Sequence, residues 1–411
     1  MNRYGLIGRK LGHSYSQLIH KAFGRYEYFM QELEPEEVPS FLRNGSFRGL
    51  NVTIPYKKVA LECCDFVSPE ARRIGSVNTI VRDEDGQLHG YNTDYAGFAT
   101  QASQAGVQWK SAKVLVLGTG GASLTVHTVI HDQGGQTVSV SRNGPVDYTN
   151  VAQLHPDADY IVNTTPVGMF PDNEGNPIDL APFPRLRGVL DLIYNPMRTR
   201  LILAARERDL QTADGLPMLV EQARVAAELF LSEPLPTTLT PDIVRKIRLS
   251  TANVALIGMA GCGKSTIGRA VAQALHRDFL DTDAMVIADA GCSIPEIFAN
   301  EGEAAFRERE AAAIAVAAKR TGVVIATGGG AVLRKENRLN LAGNSFVFWL
   351  KRDLEKLQLR AGRPLSTDLE AARALLQQRT PLYEQLADRV IDNNSHPQNA
   401  IAYILSEMRE Y

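Results

Sequence analysis

The chain has 411 residues, more than one hydrophobic core usually serves, so two or more domains are expected. It is 44% hydrophobic and 22% charged, an ordinary globular composition. The first 250 residues carry 25 Lys/Arg against 27 Asp/Glu and the rest 19 against 19, so neither half has the basic excess of a nucleic-acid footprint. No apolar run reaches the ~18 residues of a membrane span, and the opening "MNRYGLIGRKLGHS" lacks the apolar stretch of a secretion signal. The four cysteines, Cys63, Cys64, Cys262 and Cys292, show no paired spacing for zinc or disulfides. A cytoplasmic protein with no nucleic-acid or membrane partner is expected.

In chain order, "YGLIG", "YEYFMQEL", "FRGLNVTI" and "VNTIVRD" read as strands alternating with helical stretches. This first α/β block covers residues 1–105. A second block, 106–216, opens with the buried strand "KVLVLG" and continues through "QTVSVS", "ADYIVNTT" and "RGVLDLIY". The apolar helix around "LPMLVEQARVAAELFL" and a short helix "PDIVRKIR" span 217–248 and are expected to pack back on the first block. A linker at 249–252 precedes a third block, 253–411. Strands alternating with helices predict parallel sheets covered on both faces.

The turn "GTGGAS" lies between a strand and a helix. Gly118 and Gly120 permit the tight turn, and Gly121 and Ala122 continue it into a helix whose N-terminus suits a pyrophosphate. After the next strand an NAD enzyme usually places an acidic residue on the ribose. Here Ser141 and Arg142 stand there, which favours the 2′-phosphate of NADP. Ahead of this turn, "GHSYS" offers Ser14 and Ser16, and "NVTIPYK" offers Thr53 and Lys57. "VNT" offers Asn78, and "GYNTD" offers Asp94. Reducing a ketone needs a proton for the developing alkoxide, and a lysine beside a carboxylate can supply it. A lone lysine is more often a solvated surface charge.

"GMAGCGKST", 258–266, is a full P-loop between the strand "NVALIG" and a helix. Backbone amides around Gly261 and Gly263 would cradle phosphates, with Thr266 opening the helix beyond. Lys264 would reach the β- and γ-oxygens, and the Ser265 hydroxyl would bind Mg²⁺. "FLDTD" places Asp281 and Asp283 at a strand end, on one side of the pleat. One can serve the metal while the other accepts a hydrogen bond from an attacking hydroxyl. "FRERE" puts Arg307 and Glu310 within pairing distance on a helix. "ATGGGAV" ends a strand with Gly328, Gly329 and Gly330, room for a ring to approach the backbone. "RAGRPLS" and "QRTPLY" supply Arg360, Arg363 and Arg379, the first two on a candidate lid.

Two resemblances follow from these motifs. "GHSYS", "NVTIPYK", "VNT", "GYNTDYAGF", "GTGGAS", "NTTPVGM", "DLIYNPMRTRL" and "DGLPMLVEQA", in this order over residues 1 to about 248, resemble shikimate dehydrogenase. That resemblance implies a substrate domain followed by a Rossmann-like NADP domain. It implies that Ser14, Ser16 and Thr53 hold the substrate carboxylate, Lys57 and Asp94 act as the catalytic pair, and Asn78, Gln222 and Tyr194 bind the substrate. Gln17 stands where the family usually has proline, and "RNGP" where it commonly continues Arg-Thr. The run "DTDAMVIADAGCSIPEIFANEGEAAFRERE" with "GGGAV" and "RPL" resembles shikimate kinase over 253–411. It implies a P-loop domain like that of the nucleoside monophosphate kinases. Asp283, Arg307, Arg379 and Gly328–Gly330 would bind shikimate, and Asp281 would serve Mg²⁺ with Ser265. Arg363 would close on the phosphoryl group of ATP, and Arg360 would stack on adenine, with "DNNSH" on the other side. Only two residues separate Arg360 from Arg363, a shorter spacer than many members have. The reading is an NADPH-dependent 3-dehydroshikimate reductase joined to an ATP- and Mg²⁺-dependent shikimate kinase. The alternatives are a quinate/shikimate-type dehydrogenase or a non-catalytic NADP-sensing module, fused to a kinase of another small polyol.

Overall fold

The computed structural model describes residues 3–12, 14–357 and 369–410. The chain divides into two compact units. One is Met1–Met169, Glu174–Tyr194 and Ala204–Val244; the other is Phe170–Asn173, Asn195–Leu203 and Arg245–Tyr411.

The first unit holds two sheets. In the first, β1 (Tyr4–Gly8), β2 (Tyr28–Glu32), β3 (Gly49–Val52), β4 (Phe66–Val67), β5 (Thr79–Arg82) and β6 (Leu88–Tyr91) lie in the order β2-β1-β3-β5-β6-β4. β1 pairs parallel with β2 and β3, and every residue of β1 is buried, as a central strand requires. The expected all-parallel sheet is not found here: β5 runs antiparallel to β3 and to β6. The cause is local. "RDEDGQL" turns back as a hairpin, with Gly86 at φ 84° and the Gln87 N–H donating to the Asp83 carboxylate.

The second sheet is β7 (Lys113–Leu117), β8 (Gln136–Val140), β9 (Tyr160–Asn163), β10 (Gly188–Asp191) and β11 (Gln211–Ala213). All pairs are parallel, in the order β11-β10-β9-β7-β8. Val114, Leu115, Val116 and Leu117 of β7 are fully buried, the unbroken apolar run of a strand covered on both faces. The strand order reverses between β7 and β9, so ligands of a sheet of this kind bind beyond the C-terminal ends of those two strands.

The apolar helix spans Leu216–Leu231 and packs on the helix Asp94–Gln104. Their approach depends on Gly97, where a Cβ would sit 2.6 Å from the Met218 carbonyl oxygen. Ser232, at φ 54°, ends the first of the two helices. The next runs Leu239–Thr251, so the stretch expected as a linker at 249–252 is helix end followed by buried Ala252. Ser250 and Thr251 bond their hydroxyls back to the Ile247 carbonyl at 2.9 and 2.8 Å and stay helical.

The second unit carries β12 (Asn253–Ile257), β13 (Phe279–Asp281), β14 (Val324–Ala326), β15 (Ser345–Lys351) and β16 (Arg389–Asp392), all parallel, in the order β13-β14-β12-β15-β16. β12 is buried along its whole length. Arg198 belongs to this unit. Its guanidinium donates to the carbonyls of Ala342 (3.0 Å) and Ser345 (3.1 Å) and to Asp388 Oδ1 (3.1 Å). Asp388 Oδ2 accepts from the Val347 N–H of β15 at 2.9 Å. Both side chains are largely buried. Removing one partner strands the other charge, so Arg198→Ala is expected to destabilise the second unit by about 3–5 kcal/mol. Thermal unfolding of the full-length variant checks this; an unchanged midpoint contradicts it.

Candidate active sites

The cofactor turn sits at the strand-order reversal of the second sheet. Gly118 has φ 102°, and a Cβ there would meet the Thr164 hydroxyl oxygen at 2.9 Å, so the turn lies tight against the end of β9. A Cβ at Gly120 would meet nothing within 4 Å, which leaves that backbone open to a ligand. The helix Gly121–Asp132, with Ala122 in its first turn, points its N-terminus at the same place. Ser123 tightens the turn by donating to the Gly120 carbonyl at 2.6 Å. Ser141 and exposed Arg142 follow β8 directly, and no acidic side chain stands at that strand end. The donor set therefore fits NADP: backbone amides for the pyrophosphate and a guanidinium for the 2′-phosphate. A charge-assisted bond of this kind is worth about 1.5–3 kcal/mol. Arg142→Ala is expected to raise KM for NADPH by about 10- to 100-fold while leaving KM for NADH nearly unchanged. Steady-state kinetics with both cofactors check this, and equal use of the two by the unaltered protein contradicts it.

The substrate side faces this turn. Lys57 Nζ donates to Asp94 Oδ2 at 2.5 Å, with the two side chains 15% and 9% exposed. Each begins a helix, Lys57–Cys63 and Asp94–Gln104. A helix start favours a carboxylate and disfavours an ammonium, so the position of Lys57 is set by its partner rather than by helix electrostatics. A Cβ on Gly121 would come 3.6 Å from Lys57 Cδ, which puts the pair beside the cofactor turn. Ser14 Oγ donates to Ser16 Oγ at 3.0 Å and accepts from the Ser16 N–H at 3.2 Å, at the start of the helix Ser16–Phe23. The Thr53 methyl abuts Gly8, so the end of β3 lies against the end of β1. Tyr194 meets Tyr15 with ring centroids 5.1 Å apart. Burial, reinforced by Tyr15, pushes the Tyr194 phenol up to about 12, so it stays a neutral donor at working pH.

Asn78 and Gln222 are buried and joined through Thr93. Asn78 Nδ2 donates to Thr93 Oγ1 at 3.1 Å, and Thr93 Oγ1 lies 3.5 Å from Gln222 Oε1. Sequence reading missed Thr93 and Asn51. Thr93 stands inside "YNTD", one residue before Asp94, and Asn51 inside "NVT", two before Thr53. Position beside an expected site residue was the only signal available for either.

In the second unit, Gly258, Gly261 and Gly263 take φ 138°, 84° and 101°, as a phosphate-cradling loop needs. Lys264 Nζ donates to the carbonyls of Gly258 (2.8 Å) and Met259 (2.9 Å), and Thr266 is exposed one turn into the helix. Asn393 Nδ2 holds the Cys262 carbonyl at 2.5 Å, so "DNNSH" supports the P-loop directly, a role sequence reading did not assign. Ser265 Oγ donates to Asp281 Oδ2 at 2.6 Å. A hydroxyl and a carboxylate oxygen together form a hard donor set that fits Mg²⁺. Asp281 and Asp283 do not share a pleat, as had been expected. β13 ends at Asp281, whose carboxylate caps the helix Thr282–Ala290 by accepting from the Asp283 and Ala284 N–H groups. Asp283 therefore projects from a helical first turn.

Asp283, Arg307, Glu310 and the glycine run meet at one place. A Cβ on Gly328 would fall 2.7 Å from Asp283 Oδ1 and 2.6 Å from Glu310 Oε1, and one on Gly330 would run into the Arg307 guanidinium. A Cβ on Gly329 would meet the Ala260 N–H nitrogen of the P-loop at 2.8 Å. Arg307 Nη1 donates to buried Glu310 at 2.8 Å; burial pushes the Glu310 carboxyl up, and Arg307 pulls it back. Arg379 is buried and near enough to favour ionised Glu310. Tyr383 Oη holds the Gly329 carbonyl at 2.5 Å. Arg360 and Arg363 lie outside the described residues.

Fold and site thus define two classes of protein in one chain: an NADP-linked dehydrogenase with a lysine–aspartate pair, and a P-loop phosphotransferase. Family models match accordingly, the shikimate dehydrogenase substrate binding domain over residues 6–80 and shikimate kinase over residues 260–409. A shikimate dehydrogenase (NADP(+)) of Clostridium beijerinckii is 34% identical over 264 residues, 59% of this chain and 97% of its own. A crystal structure of shikimate dehydrogenase 1 from Peptoclostridium difficile is 33% identical, TM-score 0.56, covering 60% of this chain and 98% of its own. One from Thermus thermophilus, in complex with NADP(H) and shikimate, is 31% identical, TM-score 0.53, covering 60% and 99%. The chain belongs to the shikimate dehydrogenase family and carries a shikimate kinase region behind it, a bifunctional enzyme of the shikimate pathway. Among the described residues no helix is long and apolar enough to cross a membrane.

Proposed function

We propose that the first unit reduces the C3 carbonyl of 3-dehydroshikimate to the hydroxyl of shikimate, and that the second unit phosphorylates that same 3-hydroxyl with ATP. NADPH supplies the hydride when bound. Lys57 supplies the proton to the developing alkoxide, and Asp94 keeps its Nζ aimed. Ser14, Ser16 and Thr53 hold the carboxylate, helped by the N-terminus of the helix Ser16–Phe23, while Asn78, Gln222 and Tyr194 hold the ring hydroxyls. In the second unit Arg307 and Arg379 bind the carboxylate of shikimate. Asp283 accepts the proton of the attacking hydroxyl, and Lys264 neutralises the phosphate oxygens. Ser265 and Asp281 would hold Mg²⁺, which would supply positive charge to a bound nucleotide. The enzyme works in the reducing cytoplasm on small molecules alone.

The observation that carries the reading is the pair Lys57–Asp94 at 2.5 Å beside the Gly121 turn, in a chain that also sets Asp283 against Gly328 and Gly329 against the P-loop at Ala260. Two half-assays test it. The purified chain should oxidise NADPH with 3-dehydroshikimate alone and consume ATP with shikimate alone. Oxidation of NADPH without ATP use would leave the second half without its assigned substrate; quinate turnover in place of shikimate would move the first half to a quinate-type dehydrogenase.

A further inference from the structure

Behind the substrate side of the first unit runs a branched network of buried polar groups. The Tyr28 hydroxyl donates to Asn51 Oδ1 at 2.8 Å, and Asn51 Nδ2 donates to Thr79 Oγ1 at 3.1 Å. The Thr79 hydroxyl donates to Asn78 Oδ1 at 3.1 Å, and Asn78 Nδ2 to Thr93 Oγ1 at 3.1 Å. The Thr93 hydroxyl lies 3.5 Å from Gln222 Oε1, 3.2 Å from Asn78 Oδ1 and 3.1 Å from Thr79 Oγ1. Tyr28, Asn51, Thr79, Asn78 and Thr93 are each no more than 6% exposed, so water cannot substitute for a lost partner. Behind Tyr28, His20 stacks flat on the phenol, with ring centroids 3.8 Å apart and an interplanar angle of 6°. His20 is fully buried, and its Nδ1 meets the Tyr26 hydroxyl at 2.7 Å.

Amides and hydroxyls are reversible parts. A carboxamide fits its slot either way round, and a hydroxyl can donate to either neighbour. The direction of such a chain is set by groups that cannot reverse. The Thr93 N–H, donating to Asn78 Oδ1 at 2.7 Å, fixes the end next to the substrate. The Tyr28 hydroxyl orders the other end, because it is buried and Asn51 Oδ1 accepts its proton. Without that proton Asn51 can turn over and present its oxygen to Thr79. Thr79 then gives its proton to Asn51 instead of Asn78, and the Thr93 hydroxyl is released to donate to Asn78 Oδ1 at 3.2 Å or to Thr79 at 3.1 Å rather than to Gln222.

We infer that Tyr28 is a positioning residue for substrate recognition: through Asn51 and Thr79 it fixes the direction of the Thr93 hydroxyl that orients Gln222 toward the ring hydroxyls. The inference rests on the dehydrogenase reading above. It separates recognition from chemistry, since no link of the chain reaches the Lys57–Asp94 pair.

The test is Tyr28→Phe in the full-length protein, which keeps the ring on His20 and removes only the hydroxyl. KM for 3-dehydroshikimate should rise about five- to tenfold, the scale of one net hydrogen bond. Both kcat and KM for NADPH should stay within about twofold. The preference for 3-dehydroshikimate over an analogue lacking one ring hydroxyl should shrink by a similar factor, which a merely structural role would not cause. Thr79→Val should reproduce these effects from the middle of the chain, and Thr79→Ser should restore them; this pair carries the test if Tyr28→Phe fails to fold. An unchanged KM and unchanged analogue preference in folded variants overturn the inference. Failure of the unaltered protein to reduce 3-dehydroshikimate overturns the dehydrogenase reading instead.

Discussion

Lys57→Ala is expected to lower kcat for reduction of 3-dehydroshikimate by about 10²- to 10⁴-fold, the range associated with a positioned general acid. The ketone oxygen gains a full negative charge as hydride arrives, and a proton must reach it in the same site. Lys57 Nζ is held on Asp94 at 2.5 Å, with the lysine stem against the cofactor turn at Gly121. Its other two protons are free to face a substrate. Because the loss falls on the transition state, KM for 3-dehydroshikimate should move far less than kcat. Phosphorylation of shikimate should be unchanged, since Lys57 belongs to the first unit and the P-loop to the second. A variant that lost only affinity would make Lys57 a binding group and place the proton source elsewhere. Asp94→Asn should follow in the same direction with a smaller loss, because the ammonium remains but its aim is relaxed.

Asp283→Asn is expected to lower kcat of the phosphoryl transfer by about 10²- to 10⁴-fold, again the scale of a positioned base. The amide keeps the shape of the carboxylate against Gly328 but cannot accept the hydroxyl proton. Arg307, paired with Glu310 at 2.8 Å and lying against Gly330, is unaltered, and it is the group proposed to hold the substrate carboxylate. Binding of shikimate, followed by titration without ATP, should therefore weaken only modestly, and NADPH oxidation should be untouched. Binding lost together with turnover would show that Asp283 holds the substrate rather than serving the chemistry.

Much of this was legible because it is local. The P-loop spacing, the glycine turn after "KVLVL" and the Lys57 and Asp94 motifs each occupy a few adjacent residues, and each specifies its own backbone. What was not legible depends on partners distant in sequence. The β5–β6 hairpin made the first sheet mixed, although "DEDG" carried a turn signal that a reading for alternating strand and helix passed over. Asp281 and Asp283 looked like alternate positions of one strand; the strand stops at Asp281 because its side chain caps a helix instead. Ser250 and Thr251 looked like linker and are helix, because their hydroxyls return to Ile247. Arg198 lies in a motif of the dehydrogenase sequence, yet its charge is met by Asp388, 190 residues later. Tyr28 reaches Asn51 across 23 residues, and Thr93 reaches Gln222 across 129, separations that no spacing rule spans.

One half of the chain is proposed to make the hydroxyl that the other half phosphorylates. The most direct measurement gives the unaltered enzyme 3-dehydroshikimate, Mg·ATP and NADPH carrying deuterium in the transferred position, and locates both labels in the product by NMR. Deuterium and phosphate are expected on the same ring carbon, C3. Phosphate on any other carbon, or a deuterated product that is never phosphorylated, would contradict it.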